Sequence, residues 1–495
     1  MRTSFLLMAV AATACATFDT DSAGRAITKD ALEAHVRFLA DDLLEGRGPG
    51  TRGDALARLY IARQMQECGL RPAAGDGSWM QPVPILGITS TVTKSLSAAG
   101  KGGSASFAAP DFFTAVAGNA AAGAEWRAAE LVFVGYGITA PEQQWDDFGS
   151  TDVKGKVLLV MNNDPADDPA RFAGKTRLYY GRWSYKYEEA ARRGALGAIV
   201  IHTNESAGYP WQVVQANHGR ENFWLPFRDG VPTLGIRSWC TEEAARKLCA
   251  LGGYELDTLR AHAEKGNQPP VPLGVTVDLA IENAVRPLES GNVVGVLAGS
   301  DPALEPEHVV VTAHFDHLGI GKPRGDKPDT IYNGAADNAS GCAGMLTLAR
   351  AIGQMPRAPR RSILFVAVTA EESGLLGSQF FCENPTVPRE RIVANFNVDG
   401  LNIWGRTNDI EFIGHGKNSL TALAEDVARS QGRHIEPDSQ PDLGLFYRSD
   451  HFNFARVGVP AAYFKAGKDF VDRPEDRRRM KASYTTVHYH QPSDE

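Results

Sequence analysis

The stretch VVVTAHFDHLG, residues 309–319, decides the fold of the C-terminal part of this chain. Its first five residues are mostly β-branched and apolar, which is typical of a strand buried on both faces. Similar apolar runs follow at 363–369, 392–398 and 460–464, and helical patterns lie between them at 341–352, 375–381 and 420–430. Strands that alternate with helices predict an α/β sandwich with a largely buried sheet.

Side chains of the kinds that bind metal ions follow three of these predicted strands. His314 follows the first, Glu371 and Glu372 follow the second, and Asp399 follows the third, while Asp337 begins the turn into the helix at 341–352. Ligands gather beyond the carboxyl ends of strands in open α/β sheets, so we expect these side chains to lie close together. Imidazole and carboxylate groups suit zinc, with cobalt and manganese as alternatives.

The loop GAADNASG, residues 334–341, is rich in small residues, which let the backbone approach a crowded pair of metal ions. Its Asp337 is the predicted bridge between two ions roughly 3.5–4 Å apart. Glu371 and Glu372 leave the backbone in different directions, so we expect one to be a ligand and the other a general base. The alternative is a solvated pair favoured by a helix N-terminus, but it does not explain the other metal-binding residue types.

Six short stretches together resemble the two-zinc aminopeptidases related to glutamate carboxypeptidase II and the transferrin receptor. They occur in the family's order at 312–319, 334–341, 369–378, 397–400, 448–452 and 489–494. The resemblance implies a three-layer α/β/α sandwich with a mixed, largely parallel central sheet of the zinc exopeptidase type. It also implies an exopeptidase that binds two zinc ions and removes the N-terminal residue from peptides.

The resemblance implies a ligand role for five residues. His314 and Asp399 match ligands of one zinc ion, and Asp337 matches the bridge between the two ions. Glu372 and His490 match ligands of the other ion. The set spans nearly two hundred positions, so the fold has to bring it together.

The resemblance also implies supporting residues. Glu371 matches the general acid/base, and Asp316 matches a carboxylate that orients His314, as metal-bound histidines usually require. Five further residues are expected in the pocket or around the ligands: Asn338, Tyr447, Arg448, Asp450 and His451. The peptide bond before Asn338 is a candidate cis bond, and Tyr447 is a candidate for stabilising the oxyanion. We interpret His317 and His488 as neighbours of the ligands rather than ligands.

A second module is predicted before residue 291. The stretches FVGYGI (133–138), WDDF (145–148), VKGKVLLV (153–160) and AARRGALGAI (190–199) resemble a protease-associated domain, a smaller β-rich α+β module that is thought to shape the substrate cleft. Residues 97–128 are rich in Gly, Ala and Ser and predict a weakly structured passage into it. We therefore expect the peptidase domain at 25–118 and 271–495, with the insert at 119–270.

A glycine-rich turn, EGRGPGTRG at 45–53, separates two predicted helices near the N-terminus. It lacks the GK[ST] of a phosphate loop, so we interpret it as a connector. Six cysteines are present. Cys240 and Cys249 are the nearest pair for a disulfide, and buried free thiols are the alternative.

The first sixteen residues have the pattern of an export signal. Arg2 precedes the apolar run 5–12, and small residues follow, as signal peptidase requires. We expect residues 1–16 to be removed and the protein to be periplasmic or extracellular. Cys15 allows the alternative of a lipoprotein, which is the one membrane association expected.

Charge and the ligand set limit the function classes. There are 51 Lys and Arg against 59 Asp and Glu, a formal net charge of −8, which argues against nucleic-acid binding. The resemblance implies peptide substrates as the partners. A carboxypeptidase or dipeptidase is the main alternative, in which Arg448 pairs with a substrate carboxylate. A non-catalytic receptor-like relative and a one-zinc, glutaminyl-cyclase-like enzyme are disfavoured, because every ligand position and the bridging loop are present. Family members usually continue beyond the last motif with a long helix, which the sequence up to Glu495 does not contain.

Overall fold

The computed structural model describes residues 24–166, 171–216, 218–321 and 329–495. The predicted signal peptide and Cys15 lie outside these residues. Within them, no helix combines the length and apolar character that crossing a membrane requires. The five described cysteines are free, and Cys240 and Cys249 are both buried, so the predicted disulfide is not formed and the free-thiol alternative holds.

A mixed, largely parallel sheet forms the C-terminal part, as predicted. His308–His314 pairs in parallel with Ser362–Val368 on one side and with Ile392–Asn397 on the other. Ile392–Asn397 pairs in parallel with Ala461–Ala466. Two further strands complete this side of the sheet, Asp409–Ile413 and then His434–Pro437. Ser362–Val368 pairs antiparallel with the long strand Val271–Leu297 on the opposite side.

Helices cover both faces of this sheet. One face carries Lys29–Leu39, Arg52–Glu67 and Ser340–Gly353, and its buried cluster contains Leu39, Ile61, Met65, Leu346, Val311 and Phe365. The other face carries Leu376–Glu383 and His451–Arg456, and its cluster contains Phe381, Phe454, Val310 and Leu364. The neighbours Val310 and Val311 thus face opposite layers, as a strand of period two requires. The result is the three-layer α/β/α sandwich that was predicted.

The sheet continues into the inserted region through two long strands. Met80–Gly100 pairs antiparallel with Val271–Leu297, and Gly123–Phe133 pairs with the latter as well. The strand order then runs through Val157–Met161, Gly197–His202, Ile236–Thr241 and Phe113–Ala117. The helices of this region are Trp183–Arg192, Glu242–Leu251 and Leu256–Ala263.

The prediction of a weakly structured passage at 97–128 is wrong. Most of this passage is β-strand: the end of Met80–Gly100, then Gly103–Ser106, Phe113–Ala117 and the first part of Gly123–Phe133. Small side chains give a weak hydrophobic pattern, but the backbone groups are held by neighbouring strands, as in the pairing of Phe113–Ala117 with Ile236–Thr241. The boundary at 118–119 therefore falls inside the sheet, and the division into domains at 25–118, 119–270 and 271–495 stays a prediction.

Candidate metal centre

His314 ends the central strand at the carboxyl edge of the sheet and is almost fully buried. Its Nδ1 lies 3.2 Å from the main-chain oxygen of Asp316 and 3.8 Å from the carboxylate of the same residue. Its Nε2 lies 3.3 Å from Oδ1 of Asp337 and 3.5 Å from Oδ1 of Asp399. An imidazole whose Nδ1–H donates to a carbonyl offers its Nε2 lone pair to a metal. Here the main chain of Asp316, rather than its carboxylate, makes the closer contact.

Asp337 presents its two carboxylate oxygens to different partners. Oδ1 faces His314, whereas Oδ2 lies 3.1 Å from Nε2 of His490. The peptide bond from Asp337 to Asn338 is cis, as anticipated. The carboxylate therefore lies between two sets of donors, which is the arrangement that a bridging ligand requires.

Glu372 and His490 form the second set together with Asp337. Nε2 of His490 lies 3.2 Å from Oε2 of Glu372. The ring of Tyr489 stacks on the His490 ring with a centroid distance of 3.9 Å. The side chains of His490 and Asp399 are 34% and 19% exposed, so the centre opens to solvent on this side.

The spacing of the donor atoms fits zinc. Two ligand atoms about 2.0–2.1 Å from one tetrahedral zinc ion lie about 3.3–3.4 Å apart, by the geometry of a tetrahedron. The contacts of His314 with Asp337 and Asp399 measure 3.3 and 3.5 Å, and those of His490 with Asp337 and Glu372 measure 3.1 and 3.2 Å. The distances from the imidazole to the two carboxylates in each set are therefore close to those that a shared ion would impose.

His317 differs from these histidines in its spacing. It is buried, and its Nδ1 lies 2.7 Å from Oε1 of Glu372. This distance is typical of a hydrogen bond and is short for two ligands of one ion. His317 could belong to a three-residue metal group with Asp337 and Glu372, but its contact favours a role in orienting Glu372, whose other oxygen faces His490.

Asn338 joins the segments that carry the first set of donors. Its amide donates to the carbonyl of Val398 at 2.9 Å and to that of His314 at 3.3 Å, and its oxygen accepts from the backbone N–H groups of Gly341 at 2.9 Å and Gly400 at 2.7 Å. The side chain is fully buried. It therefore fixes the positions of the strand ends before and after it in sequence.

Two supporting residues escaped the sequence analysis. The carboxylate of Asp494 accepts from the backbone N–H groups of Ala336 at 3.0 Å and Asp337 at 3.1 Å, which holds the bridging loop. Tyr463 donates its hydroxyl to the main-chain oxygen of Asp399 at 3.3 Å. Asp494 belongs to the last recognised motif, but a contact over more than 150 residues cannot be read from spacing.

Arg47, from the glycine-rich turn, also supports the site and was not predicted from the sequence. Its guanidinium is fully buried and donates to the main-chain oxygens of Leu39, Phe315, Asn333 and Gly334. Phe315 follows His314, and Gly334 begins the bridging loop. The turn is therefore more than a connector, because it fixes the backbone beneath the metal ligands.

Glu371 lies beside both sets of donors, and none of the described residues hydrogen-bonds or ion-pairs with its carboxylate. The Asp316 carboxylate accepts from the backbone N–H groups of Glu371 at 3.0 Å and Glu372 at 3.3 Å, and Ala370 has a left-handed φ of 52°. Burial raises the pKa of the Glu371 carboxyl well above its usual value; His314 opposes the rise and Asp399 adds to it. A free carboxylate with a raised pKa suits a proton acceptor.

The remaining residues predicted around the site are Tyr447, Arg448, Asp450 and His451. Asp450 and His451 are fully buried; burial raises the pKa of Asp450 to about 6 and lowers that of His451 to about 3. His451 packs between Phe446 and Tyr463, with centroid distances of 5.0 and 5.1 Å. The ring of Tyr447 lies 6.0 Å from that of Tyr179, which belongs to the inserted region, and its candidacy for stabilising the oxyanion stays a prediction. His488 lies 2.9 Å from the Ser493 hydroxyl, and its interpretation as a neighbour of the ligands stays a prediction.

Comparisons with known proteins match the C-terminal part of the chain to a peptidase family. Residues 292–495 match the family described as Peptidase family M28. Aminopeptidase NAALADL1 of Mus musculus is 35% identical over 184 residues, which cover 34% of this chain and 23% of that protein. Aminopeptidase YwaD of Bacillus subtilis (strain 168) is 25% identical over 350 residues, which cover 68% of this chain and 60% of that protein. The chain thus spans less than two thirds of either relative.

One solved structure is similar over most of its length. The aminopeptidase from Aneurinibacillus sp. strain AM-1 aligns with a TM-score of 0.51 and 19% identity, covering 91% of this chain and 88% of that one. At this identity the likeness shows the fold alone. It agrees with the predicted sandwich, and the family match agrees with the resemblance that the six motifs indicate.

Proposed function

We propose, from the match of residues 292–495 to peptidase family M28, that this protein is a two-zinc aminopeptidase that hydrolyses the N-terminal peptide bond. One observation supports two ions most strongly: the two oxygens of Asp337 face His314 and His490 separately, at 3.3 and 3.1 Å. We assign His314, Asp337 and Asp399 to one ion. We assign Asp337, Glu372 and His490 to the other.

The charge of the site supports bound cations. After burial and the neighbouring histidines, the carboxylates of Asp399, Glu372 and Asp450 act to raise the pKa of Glu371, and Asp337 acts in the same direction on Glu372. Several buried carboxylates at short range repel one another, and two divalent cations remove that repulsion. His314, His317 and His490 lie next to these carboxylates, and they carry a compensating positive charge only when they are protonated.

In this proposal, Glu371 transfers the protons of the reaction. Zinc ions held by these residues would polarise the substrate carbonyl and lower the pKa of a water molecule. Glu371 accepts the proton of the attacking water and delivers it to the nitrogen of the leaving group as the peptide bond breaks. The hydrogen bonds from the Glu371 and Glu372 backbone to Asp316 hold the segment in place for both steps.

A carboxypeptidase or dipeptidase is the second candidate. Arg448 favours it, because its Nε is buried without a hydrogen-bond partner among the described residues. The two named relatives are aminopeptidases, so we place the aminopeptidase first. A receptor-like or one-zinc relative is disfavoured by the intact pair of donor sets.

Zinc removal tests the proposal. The purified protein is expected to release the fluorophore from an unblocked aminoacyl-coumarin amide and not from its N-acetylated counterpart. Dialysis against 1,10-phenanthroline should reduce the rate to background, since the ions supply the activated water. Added zinc should restore it.

The blocked substrate and a buffer-dialysed sample serve as the controls. Equal hydrolysis of the blocked and unblocked amides would overturn the aminopeptidase assignment. Full activity in the chelator-treated protein, with zinc shown by mass spectrometry to be gone, would overturn the role of the metal.

A further inference from the structure

The long strand Val271–Leu297 lies beside the strand that leads to the proposed general base. It pairs antiparallel with Ser362–Val368, and the pair nearest to the metal centre is Val293 with Ala367. The main-chain ladder between the two strands ends there. Beyond this pair, buried polar side chains of the long strand contact the residue that follows Ser362–Val368.

Asn292 holds the main chain of Thr369, the first residue after the shorter strand. Its Oδ1 accepts the backbone N–H of Thr369 at 3.1 Å, and its Nδ2 donates to the carbonyl of Gly377 and to Oε1 of Gln81, both at 2.9 Å. The Thr369 carbonyl in turn accepts the backbone N–H of Gly377 at 2.9 Å. Asn292 is fully buried, so its loss would leave these polar groups unpaired away from water.

Gly377 permits the close approach of these groups. A Cβ atom at this position would lie 2.3 Å from the carbonyl oxygen of Thr369 and 2.6 Å from Oδ1 of Asn292. Both distances are shorter than those that real Cβ atoms make with other heavy atoms. Any side chain at position 377 would therefore separate the helix Leu376–Glu383 from the end of the strand.

Ser290 holds the hydroxyl group of the same threonine. Its Oγ donates to Oδ1 of Asp54 at 2.7 Å and lies 2.6 Å from Oγ1 of Thr369, while the other oxygen of Asp54 accepts from Arg58 at 2.9 Å. An ionised carboxylate only accepts hydrogen bonds, so Ser290 gives its one proton to Asp54 and receives that of Thr369. The carboxylate therefore fixes the direction of both bonds.

These contacts lie next to the turn that carries Glu371. Ala370, between Thr369 and Glu371, has a left-handed φ of 52°, which a residue with a side chain rarely adopts. Such a conformation persists where the surrounding structure holds it. The contacts of Thr369 hold the residue before it, and the Asp316 carboxylate accepts the backbone N–H of the residue after it at 3.0 Å.

We propose that Ser290 and Asn292 are positioning residues for the general base Glu371 and that they act through Thr369. Neither residue belongs to a donor set. The base has to meet the attacking water and then the leaving nitrogen, and a displacement of about 1 Å can lower the rate about 10²-fold. This inference rests on the proposed function, in which Glu371 transfers the protons, and it specifies how the base is held.

Thr369→Val tests the contact with Ser290. Valine keeps the shape of threonine but has no hydroxyl, so kcat should fall about tenfold while KM and zinc content stay within about twofold of the wild type. Thr369→Ser keeps the hydroxyl and should keep kcat within about threefold of the wild type. Equal losses of kcat in the two variants, or no loss in Thr369→Val, would overturn the role of Ser290.

Thr347→Val is the matched control for this change. Thr347 is also a fully buried threonine, but its hydroxyl donates to the carbonyl of Ala343 in its own helix at 2.7 Å. The control should leave kcat unchanged. A loss of kcat equal to that of Thr369→Val would show that any buried Thr→Val change has this effect, and it would overturn the role of Ser290.

A double-mutant cycle distinguishes positioning from a general structural effect. Asn292→Leu removes the acceptor of the Thr369 N–H and should lower kcat about 10–100-fold in the wild-type background. In the Glu371→Gln background, the same change should lower the residual kcat less than about threefold, because the base that Asn292 positions is already absent. Equal losses in both backgrounds would overturn the proposal while leaving Glu371 as the base.

Hydrogen exchange separates this inference from the proposed function, because it requires no turnover. The backbone N–H groups of Thr369, Glu371 and Gly377 all donate within this group of contacts. In Asn292→Leu, mass spectrometry should show about tenfold faster exchange in the peptide 369–377 than in the wild type, since local opening sets the rate. Unchanged exchange would overturn the positioning role even if hydrolysis is observed. Faster exchange, with no hydrolysis by the wild type, would contradict the peptidase function alone.

Discussion

Replacing Glu371 by Gln is expected to lower kcat by about 10²–10⁴-fold, the usual contribution of a general acid/base. Gln keeps the size of the side chain but does not accept the proton of the attacking water. The donor sets around Asp337 do not include Glu371, so zinc content should stay near that of the wild type. Steady-state hydrolysis of an aminoacyl-coumarin amide, with zinc measured by mass spectrometry on the same sample, checks both expectations.

Glu390→Gln provides the matched control. Glu390 is an exposed carboxylate in the short helix Arg389–Arg391, away from the donor sets, and its loss should leave kcat unchanged. Turnover of Glu371→Gln within about threefold of the wild type would exclude Glu371 as the base. Loss of zinc in this variant would indicate instead that Glu371 contributes to metal binding.

Replacing Arg47 by Met is expected to destabilise the protein by about 3–5 kcal/mol, which is in the upper range for single substitutions that break a buried hydrogen-bond network. Four main-chain oxygens would lose their donor, and each unsatisfied buried group costs about 1–3 kcal/mol. Met fills most of the volume, so a cavity contributes little. Urea unfolding followed by tryptophan fluorescence measures the change.

Arg52→Met is the control for this prediction. Arg52 is exposed at the start of the next helix, and its replacement should change the free energy of unfolding by less than about 0.5 kcal/mol. The Arg47 variant should also bind zinc less tightly, since Phe315 and Gly334 adjoin the ligand segments. A shift in unfolding free energy below 1 kcal/mol would show that the four contacts are not important for stability.

The strands of the peptidase part could be predicted because each is an apolar run that ends in a polar residue. The predicted run 392–398 corresponds to the strand Ile392–Asn397, and 309–313 to His308–His314. The helix predicted at 420–430 is observed as Leu420–Ser430. Buried parallel strands give the strongest hydrophobic pattern, so these elements are the most readable.

That His314, Glu372 and Asp399 lie close together could also be predicted, because their positions beyond the strand ends follow from the topology of an α/β sheet; their role as ligands stays a prediction. The residues that hold them could not. Arg47 and Asp494 act on main-chain oxygens and N–H groups more than 150 residues away, and such contacts leave no periodic pattern in the sequence. The sequence places His317 beside the ligands, but its hydrogen bond to Glu372 depends on the folded structure.

The inserted region shows the limit of composition as a guide. Small residues at 97–128 indicate weak structure, yet most of the passage lies in paired strands, some of them paired with Val271–Leu297 and Ile236–Thr241. The contact of the insert with the segment 441–452, in which the backbone N–H of Arg177 donates to the carbonyl of Pro441, likewise could not be predicted from the sequence. Contacts between distant segments are what the sequence pattern leaves out in both cases.

The central claim is that Asp337 lies between two zinc ions, and anomalous diffraction at the zinc edge tests it most directly. Crystals of the zinc-loaded protein are expected to show two anomalous peaks, one between His314, Asp399 and Oδ1 of Asp337 and one between His490, Glu372 and Oδ2 of Asp337. A single peak, or peaks remote from Asp337, in crystals grown with excess zinc would contradict the account.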